Sequence, residues 1–251
     1  MTTVDYEVKD KNAYITLNRP EKLNAINAEM RQELGVIFDD VRDNPDVWLA
    51  IITGKGRAFC TGHDLTDMAE GAHVKPTSDE LYLMESRIWK PILAAVNGVC
   101  LAQGCGLALS ADLRVASTEA RFGWPQAKRG ISSVSGPTLL AHRVPQGLAL
   151  ELLFTGRFLS AQEAMDLHLV NKIVPPDKVM EETVALAQEI LQNAPLAVRT
   201  MKEVTIRGME MDMEERLKFA ADHTVRIRET ADAKEGLAAF REKRAPVWRA
   251  E

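Results

Sequence analysis

Residues 92–106 read ILAAVNGVCLAQGCG, from Ile92 to Gly106. The first five are apolar, which is typical of a short strand buried on both faces. Asn97-Gly98 then signals a turn, and the small residues from Gly104 to Ala111 favour a short helix. The stretch therefore predicts a buried strand, a tight turn and a helix start packed closely together.

A second stretch with the same pattern, an apolar strand followed by a glycine-containing turn and a helix start, lies upstream. It reads RAFCTGHDL from Arg57 to Leu65 and follows the apolar run of residues 47–52, another predicted buried strand. Backbone amides at such strand ends and helix starts are unpaired and can hold an anion. Two of them brought together would stabilise the enolate or tetrahedral anion of a thioester. The alternative is that Gly62 and Gly104 serve only as turn and close-packing residues.

The rest of the chain divides into two parts. Before Pro176, short strands alternate with helices, which predicts an α/β core over residues 1–176. One helix follows the cap Asn27, and Thr77 and Ser160 each open a capping box. Residues 177–251 predict four successive helices: 179–191, 196–207, 213–228 and 233–241. We interpret this helical part as an assembly region.

Composition excludes several classes of protein. The chain has 251 residues, 46% of them hydrophobic and 27% charged, as in ordinary globular proteins. A net charge of −5 argues against a nucleic-acid binder, and no apolar run approaches the roughly 18–20 residues of a membrane span. The N-terminus lacks the pattern of a secretory signal. Cys60, Cys100 and Cys105 fit neither a disulfide framework nor a metal site, so we predict a cytoplasmic protein with reduced thiols.

Three segments, in order, resemble the enoyl-CoA hydratase/isomerase (crotonase) family. They are N-R-P-x-x-x-N-A from Asn18, A-F-x-x-G-x-D from Ala58, and N-G followed by the helix entry from Asn97. Further similar segments are FGWP from Phe122, LFTGR from Leu153 and LVNKIV from Leu169. The resemblance covers roughly residues 5 to 245 and is specific as a set.

The resemblance implies a spiral of ββα turns, with C-terminal helices that form trimers or dimers of trimers. It implies an acyl-CoA thioester as substrate and no separate cofactor, since coenzyme A is part of that substrate. The peptide N–H groups of His63 and Gln103 would form an oxyanion hole. Gln103 stands where the family usually has glycine, and a backbone donor tolerates a side chain there if the dihedral angles are ordinary.

The resemblance also implies a binding surface for coenzyme A. The adenine end would lie against the strand and loop from Ala58 to Thr61, and the diphosphate would approach Arg19, Lys22 or Lys55. Each of these cations has a plain alternative as a solvated surface residue. The remaining predicted substrate-binding residues flank these segments: Ala25, Asp64 and Leu65. Asp64 also has a structural interpretation, as the cap of a helix that begins at Leu65.

The family's hydratases use two glutamates, and the matching positions here are Gly106 and Gln126. Neither side chain can exchange a proton. His63 is a candidate substitute because histidine titrates near neutrality. Other possible pocket acids have the alternative of a solvated helix face: Asp67, Glu70 and Glu85. Three serines without the G-x-S-x-G pattern of a nucleophile elbow are predicted to line the acyl pocket: Ser132, Ser133 and Ser135.

The sequence thus predicts an acyl-CoA enzyme that works through an enolate and is not an efficient hydratase. Decarboxylation suits a site without glutamates, and His63 stands in a Gly-His-Asp triplet similar to that of methylmalonyl-CoA decarboxylase. Thioester hydrolysis and isomerisation stay open. A rival from another class is a CoA-ester binding protein without catalysis. An unrelated α/β serine hydrolase is disfavoured by the absent elbow. The loop from Met68 to Thr77 is predicted to lie over the acyl pocket.

Overall fold

Residues 2–66 and 75–251 are described by a computed structural model. By contacts, the chain forms two compact units. The first comprises Met1–Ile88 and Ile92–Ala185, and the second comprises Trp89–Pro91 and Leu186–Glu251.

The first unit contains two sheets. The larger runs in the order β1 (Val4–Lys9), β2 (Asn12–Leu17), β3 (Leu49–Gly54), β5 (Ile92–Val96), β7 (Leu113–Ser117) and β10 (Lys172–Val174). The smaller runs in the order β4 (Ala58–Cys60), β6 (Val99–Leu101), β8 (Arg121–Gly123) and β9 (Phe158–Ser160). The pairs β1–β2 and β8–β9 are antiparallel, and the other neighbours are parallel.

The helices, in chain order, are α1 (Ala28–Asp43), α2 (Ser78–Ser86), α3 (Gln103–Ser110), α4 (Gln146–Thr155), α5 (Ala161–Asp166), α6 (Val179–Leu191), α7 (Pro195–Gly208), α8 (Met213–Arg228) and α9 (Ala231–Glu242). Short 3-10 turns occupy Pro20–Lys22, Pro125–Arg129 and Pro176–Lys178, and a π turn occupies Gly136–Leu140. The predicted cap Asn27 accepts from the Met30 amide, and the capping boxes at Thr77 and Ser160 are both formed.

The topology is a spiral of ββα turns. The first turn (β1, β2 and α1) places both strands in the larger sheet. Later turns add one strand to the larger sheet and the next to the smaller one, as in β5, β6 and α3, followed by β7 and β8. Parallel neighbours require such crossovers. The strands β3 and β5 are fully buried, as their apolar runs predict. The expected α/β class and spiral are therefore confirmed.

Two asparagines, the buried Asn24 and the half-buried Asn97, link successive turns of the spiral. The Asn24 side-chain amide donates to the carbonyls of Lys55 (3.0 Å), Ala58 (2.8 Å) and Phe59 (3.2 Å). Asn97 makes the same kind of contact with the carbonyl of Gly56 at 2.7 Å. Because these amides donate to carbonyls of β4 and of the turn before it, they hold the loop that leads to the candidate site.

The second unit is helical and is closed by the chain's C-terminus. The Asp232 carboxylate, 2% exposed, accepts from the amides of Arg249 (2.8 Å) and Ala250 (2.9 Å). On the helices, Met213, Leu217 and Phe240 are 65%, 64% and 84% exposed in the single chain. The assembly role predicted for residues 177–251 stays a prediction. None of the described helices is long and apolar enough to cross a membrane.

Candidate active site

The first predicted oxyanion donor lies in the loop after β4. Ile26 N–H donates to the Gly62 carbonyl at 2.7 Å, and Asp64 N–H donates to the Ile26 carbonyl at 3.0 Å. The His63 amide lies between these two bonds and has no hydrogen-bond partner among the described residues. Gly62 has φ +101°, a left-handed conformation that favours glycine. The loop thus presents one free N–H at a fixed place.

The second donor is the first residue of α3. Ala102 N–H donates to the Gly123 carbonyl at 2.8 Å, and the chain then turns sharply at Ala102, with φ 53° and ψ −115°. Gln103 begins the helix, where an amide has no partner within the helix. Across residues 2–66 and 75–251, no hydrogen bond occupies the Gln103 N–H.

The two loops meet at their glycines. A Cβ built on Gly62 would lie 3.3 Å from the Gln103 nitrogen and 2.8 Å from the Ala102 Cβ. A Cβ on Gly104 would lie 2.3 Å from the Cys60 carbonyl oxygen. Any side chain at either glycine would force the loops apart. The packing and functional interpretations of these glycines therefore coincide, since close packing is what brings the two amides together.

A cavity of about 420 Å³ opens in front of these amides. The described residues that line it are Leu23, Thr61, His63, Leu65, Ser78, Tyr82, Leu101, Ala102, Gln103, Pro125, Gln126, Arg129, Ile131, Ser132, Ser133, Val134 and Ser135. The three serines predicted to line the acyl pocket all line this cavity. No carboxylate occurs among these lining residues, and Arg129 supplies a cation.

The His63 ring extends into the same cavity. Its Nε2 lies 2.8 Å from the Ser78 hydroxyl oxygen. Burial lowers the pKa of His63, and the positive charge of Arg31 lowers it further. The imidazole is therefore neutral at pH 7, and either ring nitrogen can carry the proton. His63 can accept a proton, but its ring is already engaged with Ser78.

Arg19 and Asp64 are joined beside the cavity. Their side chains form an ion pair at 3.0 Å, with 15% and 11% exposure, and Arg19 also donates to the Ala25 carbonyl at 2.5 Å. Burial alone would raise the pKa of Asp64, but hydrogen bonds from Arg19 and Thr66 outweigh it and hold the pKa below its usual value. Asp64 Oδ1 accepts from the Thr66 amide at 3.0 Å, as a capping residue does. Arg19 is thus a structural cation rather than a solvated one.

The other predicted substrate-binding residues take distinct places. Thr61 and Leu65 line the cavity, with Leu65 49% exposed, while Ala58 is buried and Ala25 half-buried. Lys22 is exposed, and Lys55 lies 3.7 Å from the Asp5 carboxylate at the surface. The coenzyme A contacts predicted for these residues stay predictions.

Gly106 and Gln126, which match the two glutamate positions of the family's hydratases, are both neutral, and Tyr82 fills the space beside Gly106. A Cβ on Gly106 would lie 2.2 Å from Cζ and 2.3 Å from the hydroxyl of Tyr82. Tyr82, 6% exposed, donates from its hydroxyl to the Gln103 carbonyl at 3.4 Å. Burial raises the pKa of Tyr82, so the phenol stays protonated. Gln126 lines the cavity at the second position.

Of the three alternative acids, only Glu85 lies among the described residues. Asp67 and Glu70 lie outside the described residues, as does most of the loop from Met68 to Thr77. Glu85 is fully buried and is absent from the described cavity lining. The described residues contain no group of three or more His, Cys, Asp or Glu side chains that could hold a metal ion.

Sequence reasoning missed Tyr82 and Ser78. Both lie on α2, which the capping box at Thr77 does predict, but nothing in a helical pattern shows that its buried face reaches Gly106 and His63. The available signal was the glycine itself, because an unexplained glycine inside a helix often marks close packing by a neighbour.

The structure is thus an α/β protein in which two unpaired backbone amides face each other at the head of a cavity. A model of the Enoyl-CoA hydratase/isomerase family matches residues 7–251, and the chain belongs to that family of acyl-CoA enzymes.

Individual relatives are similar over nearly their whole length. The chain is 36% identical to (E)-benzylidenesuccinyl-CoA hydratase from Thauera aromatica, covering 98% of each. It is 39% identical to carnitinyl-CoA dehydratase from Proteus mirabilis, covering 94% of each. Its fold is similar to the crystal structure of enoyl-CoA hydratase from Mycobacterium tuberculosis H37Rv, with a TM-score of 0.94, 36% identity and full coverage of both chains.

Proposed function

We propose that the cavity holds the thioester end of an acyl-CoA and polarises its carbonyl with the amides of His63 and Gln103. The observation that carries the proposal is that these two unpaired N–H groups are brought together by Gly62 packing against the start of α3. Donors fixed in this way cost no reorganisation when negative charge develops on the carbonyl oxygen, and each is worth roughly 10²–10³-fold in rate.

We infer further that the enzyme is a poor hydratase. Hydration moves a proton to and from water at the acyl chain, and each positioned acid or base contributes on the order of 10²–10⁴-fold to rate. Gly106 and Gln126 cannot do this, and the space in front of Gly106 is taken by the Tyr82 phenol. Tyr82 can donate a hydrogen bond but, with its raised pKa, is a weak acid.

Decarboxylation is the reaction that this cavity supports best. Loss of CO₂ from a carboxylated α-carbon breaks a carbon–carbon bond, leaves its electron pair as the thioester enolate, and needs no base; a proton then adds to that carbon. The described cavity lining contains no carboxylate to repel such a substrate and contains one cation, Arg129. Coenzyme A would enter as part of the substrate, and the proposed steps call for no separate cofactor.

The test is turnover of a panel of CoA thioesters followed by mass spectrometry. The panel would include malonyl-, methylmalonyl-, succinyl-, crotonyl- and acetyl-CoA, run in D₂O so that a deuteron added at the α-carbon is counted. We expect a carboxylated thioester to lose CO₂ and gain one deuteron. Binding of the panel without any turnover would favour the rival, a CoA-ester binding protein.

A matched pair of variants isolates the Gln103 amide. Gln103→Pro removes the N–H at the first helical position, where proline is otherwise tolerated. Gln103→Gly keeps the N–H and removes only the side chain, which is 3% exposed. We expect Gln103→Pro to lower kcat by at least about 10²-fold and Gln103→Gly to stay within about tenfold. Equal activities in the two variants would refute the role of the amide.

A further inference from the structure

Ser135 lies behind the proposed oxyanion hole, between a tryptophan and the peptide that carries one of its donors. The Trp124 indole N–H donates to Ser135 Oγ at 3.1 Å, and Ser135 Oγ donates to the Ala102 carbonyl at 3.1 Å. Both side chains are buried, with 1% exposure for Trp124 and 2% for Ser135. The single hydroxyl proton is thus directed at Ala102, because the indole occupies a lone pair of the same oxygen.

The Ala102 carbonyl and the Gln103 N–H belong to one peptide group. Such a group is planar and trans, so its carbonyl and its N–H point in opposite directions and turn together. Holding the carbonyl of Ala102 therefore aims the N–H of Gln103. The Gly106 N–H also donates to this carbonyl at 3.2 Å, and the Tyr82 hydroxyl donates to the carbonyl of the next peptide.

The peptide between Ala102 and Gln103 needs contacts that stabilise its conformation. Ala102 has φ 53° with ψ −115°, a combination that L residues other than glycine rarely adopt and that typically costs of order 1–3 kcal/mol. Such a conformation persists only when its surroundings determine it. Rotation of the peptide toward a relaxed geometry would swing the Gln103 N–H away from the cavity.

The geometry points to Ser135 as a positioning residue that aims the Gln103 amide at the thioester oxygen. This inference rests on the proposed function of that amide. Ser135 acts through the peptide that it holds, so its loss should weaken carbonyl polarisation more than it weakens binding of the thioester. A residue that merely filled the core would not produce that difference.

The experiment uses a chromophoric thioester, 4-(dimethylamino)cinnamoyl-CoA. Its absorption band moves to longer wavelength as its carbonyl becomes polarised, so the bound spectrum reports the oxyanion hole without turnover. We expect a red shift with the wild-type protein. Ser135→Ala should bind the probe within about threefold yet lose most of the shift, and Ser135→Thr, which keeps the hydroxyl, should retain it. With a turned-over substrate, Ser135→Ala should lower kcat by about 10–100-fold with KM nearly unchanged, less than the loss of a whole donor.

An unchanged red shift and unchanged kcat in Ser135→Ala would overturn the inference while leaving the proposed function intact. Absence of probe binding or of any shift in the wild-type protein would instead overturn the proposed function, and this inference with it. If Ser135→Ala does not fold, Ser135→Cys keeps the volume and supplies only a weak donor. A full red shift in folded Ser135→Cys would then overturn the inference.

Discussion

Gly106→Ala should destabilise the protein although it places the best helix former inside a helix. An interior Gly→Ala change ordinarily gains about 0.8–1.0 kcal/mol. Here the new methyl would lie 2.2–2.4 Å from three atoms at the end of the Tyr82 side chain, two of the ring and the hydroxyl oxygen, well inside contact distance. Overpacking of this kind costs about 1–3 kcal/mol. We therefore expect a net loss of up to about 2 kcal/mol in the free energy of unfolding.

The measurement is urea denaturation at one fixed protein concentration, with two comparisons. Gly147→Ala in α4 is the matched control, because a Cβ there meets nothing within 4 Å, and it should stabilise by up to about 1 kcal/mol. Tyr82→Leu removes the three clashing atoms, so in that background Gly106→Ala should become stabilising. The coupling should be about 1–3 kcal/mol. If Gly106→Ala stabilises the wild-type protein as Gly147→Ala does, Tyr82 does not fill the acid position.

Three further predictions follow from the same residues and from the family. Crotonyl-CoA hydration should proceed with kcat/KM below about 10⁶ M⁻¹s⁻¹. The paired change Gly106→Glu and Gln126→Glu should raise this value only in combination with Tyr82→Leu, which removes the ring that fills the space. Efficient hydration by the wild type would show that another residue supplies the proton. In the folded protein the pKa of His63 lies below its ordinary value of 6.5. The contribution of His63 to stability is therefore present above pH 6.5. It is lost as the pH falls below 6.5, because the unfolded chain then binds the proton more readily than the folded one. Melting temperatures between pH 7 and 5 should therefore fall less steeply in His63→Gln than in the wild type or in the exposed control His142→Gln, and parallel curves would contradict this. Light scattering at tens of micromolar should report a trimer or a dimer of trimers, because the C-terminal helices expose large apolar side chains in the single chain, and a monomer would refute it.

Local signals were enough to predict most of the fold. The strand Ile92–Val96 and the helices Val179–Leu191 and Met213–Arg228 have the predicted bounds, because apolar runs and capping residues act within a few neighbours. Boundaries moved where a turn overrode the pattern. The strand predicted over residues 47–52 begins at Leu49 and extends to Gly54.

The backbone part of the site was also readable from sequence. Gly62 and Gly104 mark close approach, and in the structure each excludes a Cβ from the facing loop. The side-chain part was not readable in the same way. Tyr82 reaches the Gln103 carbonyl from 21 residues away along the chain, and Ser135 reaches the Ala102 carbonyl from 33 residues away. No periodic pattern encodes such a meeting, because it depends on how α2 and the segment before Gly136 pack on α3.

The contacts of Tyr82 change what the missing acid means. An acid position that had simply lost its carboxylate would leave a void, and a single substitution could refill it. Here the void is occupied by a buried phenol whose hydroxyl donates to the Gln103 carbonyl. A glutamate at position 106 would displace the ring and with it part of the support of the oxyanion peptide. Under the proposed function, a carboxylate for proton exchange and the phenol beside the oxyanion peptide would therefore compete for the same space.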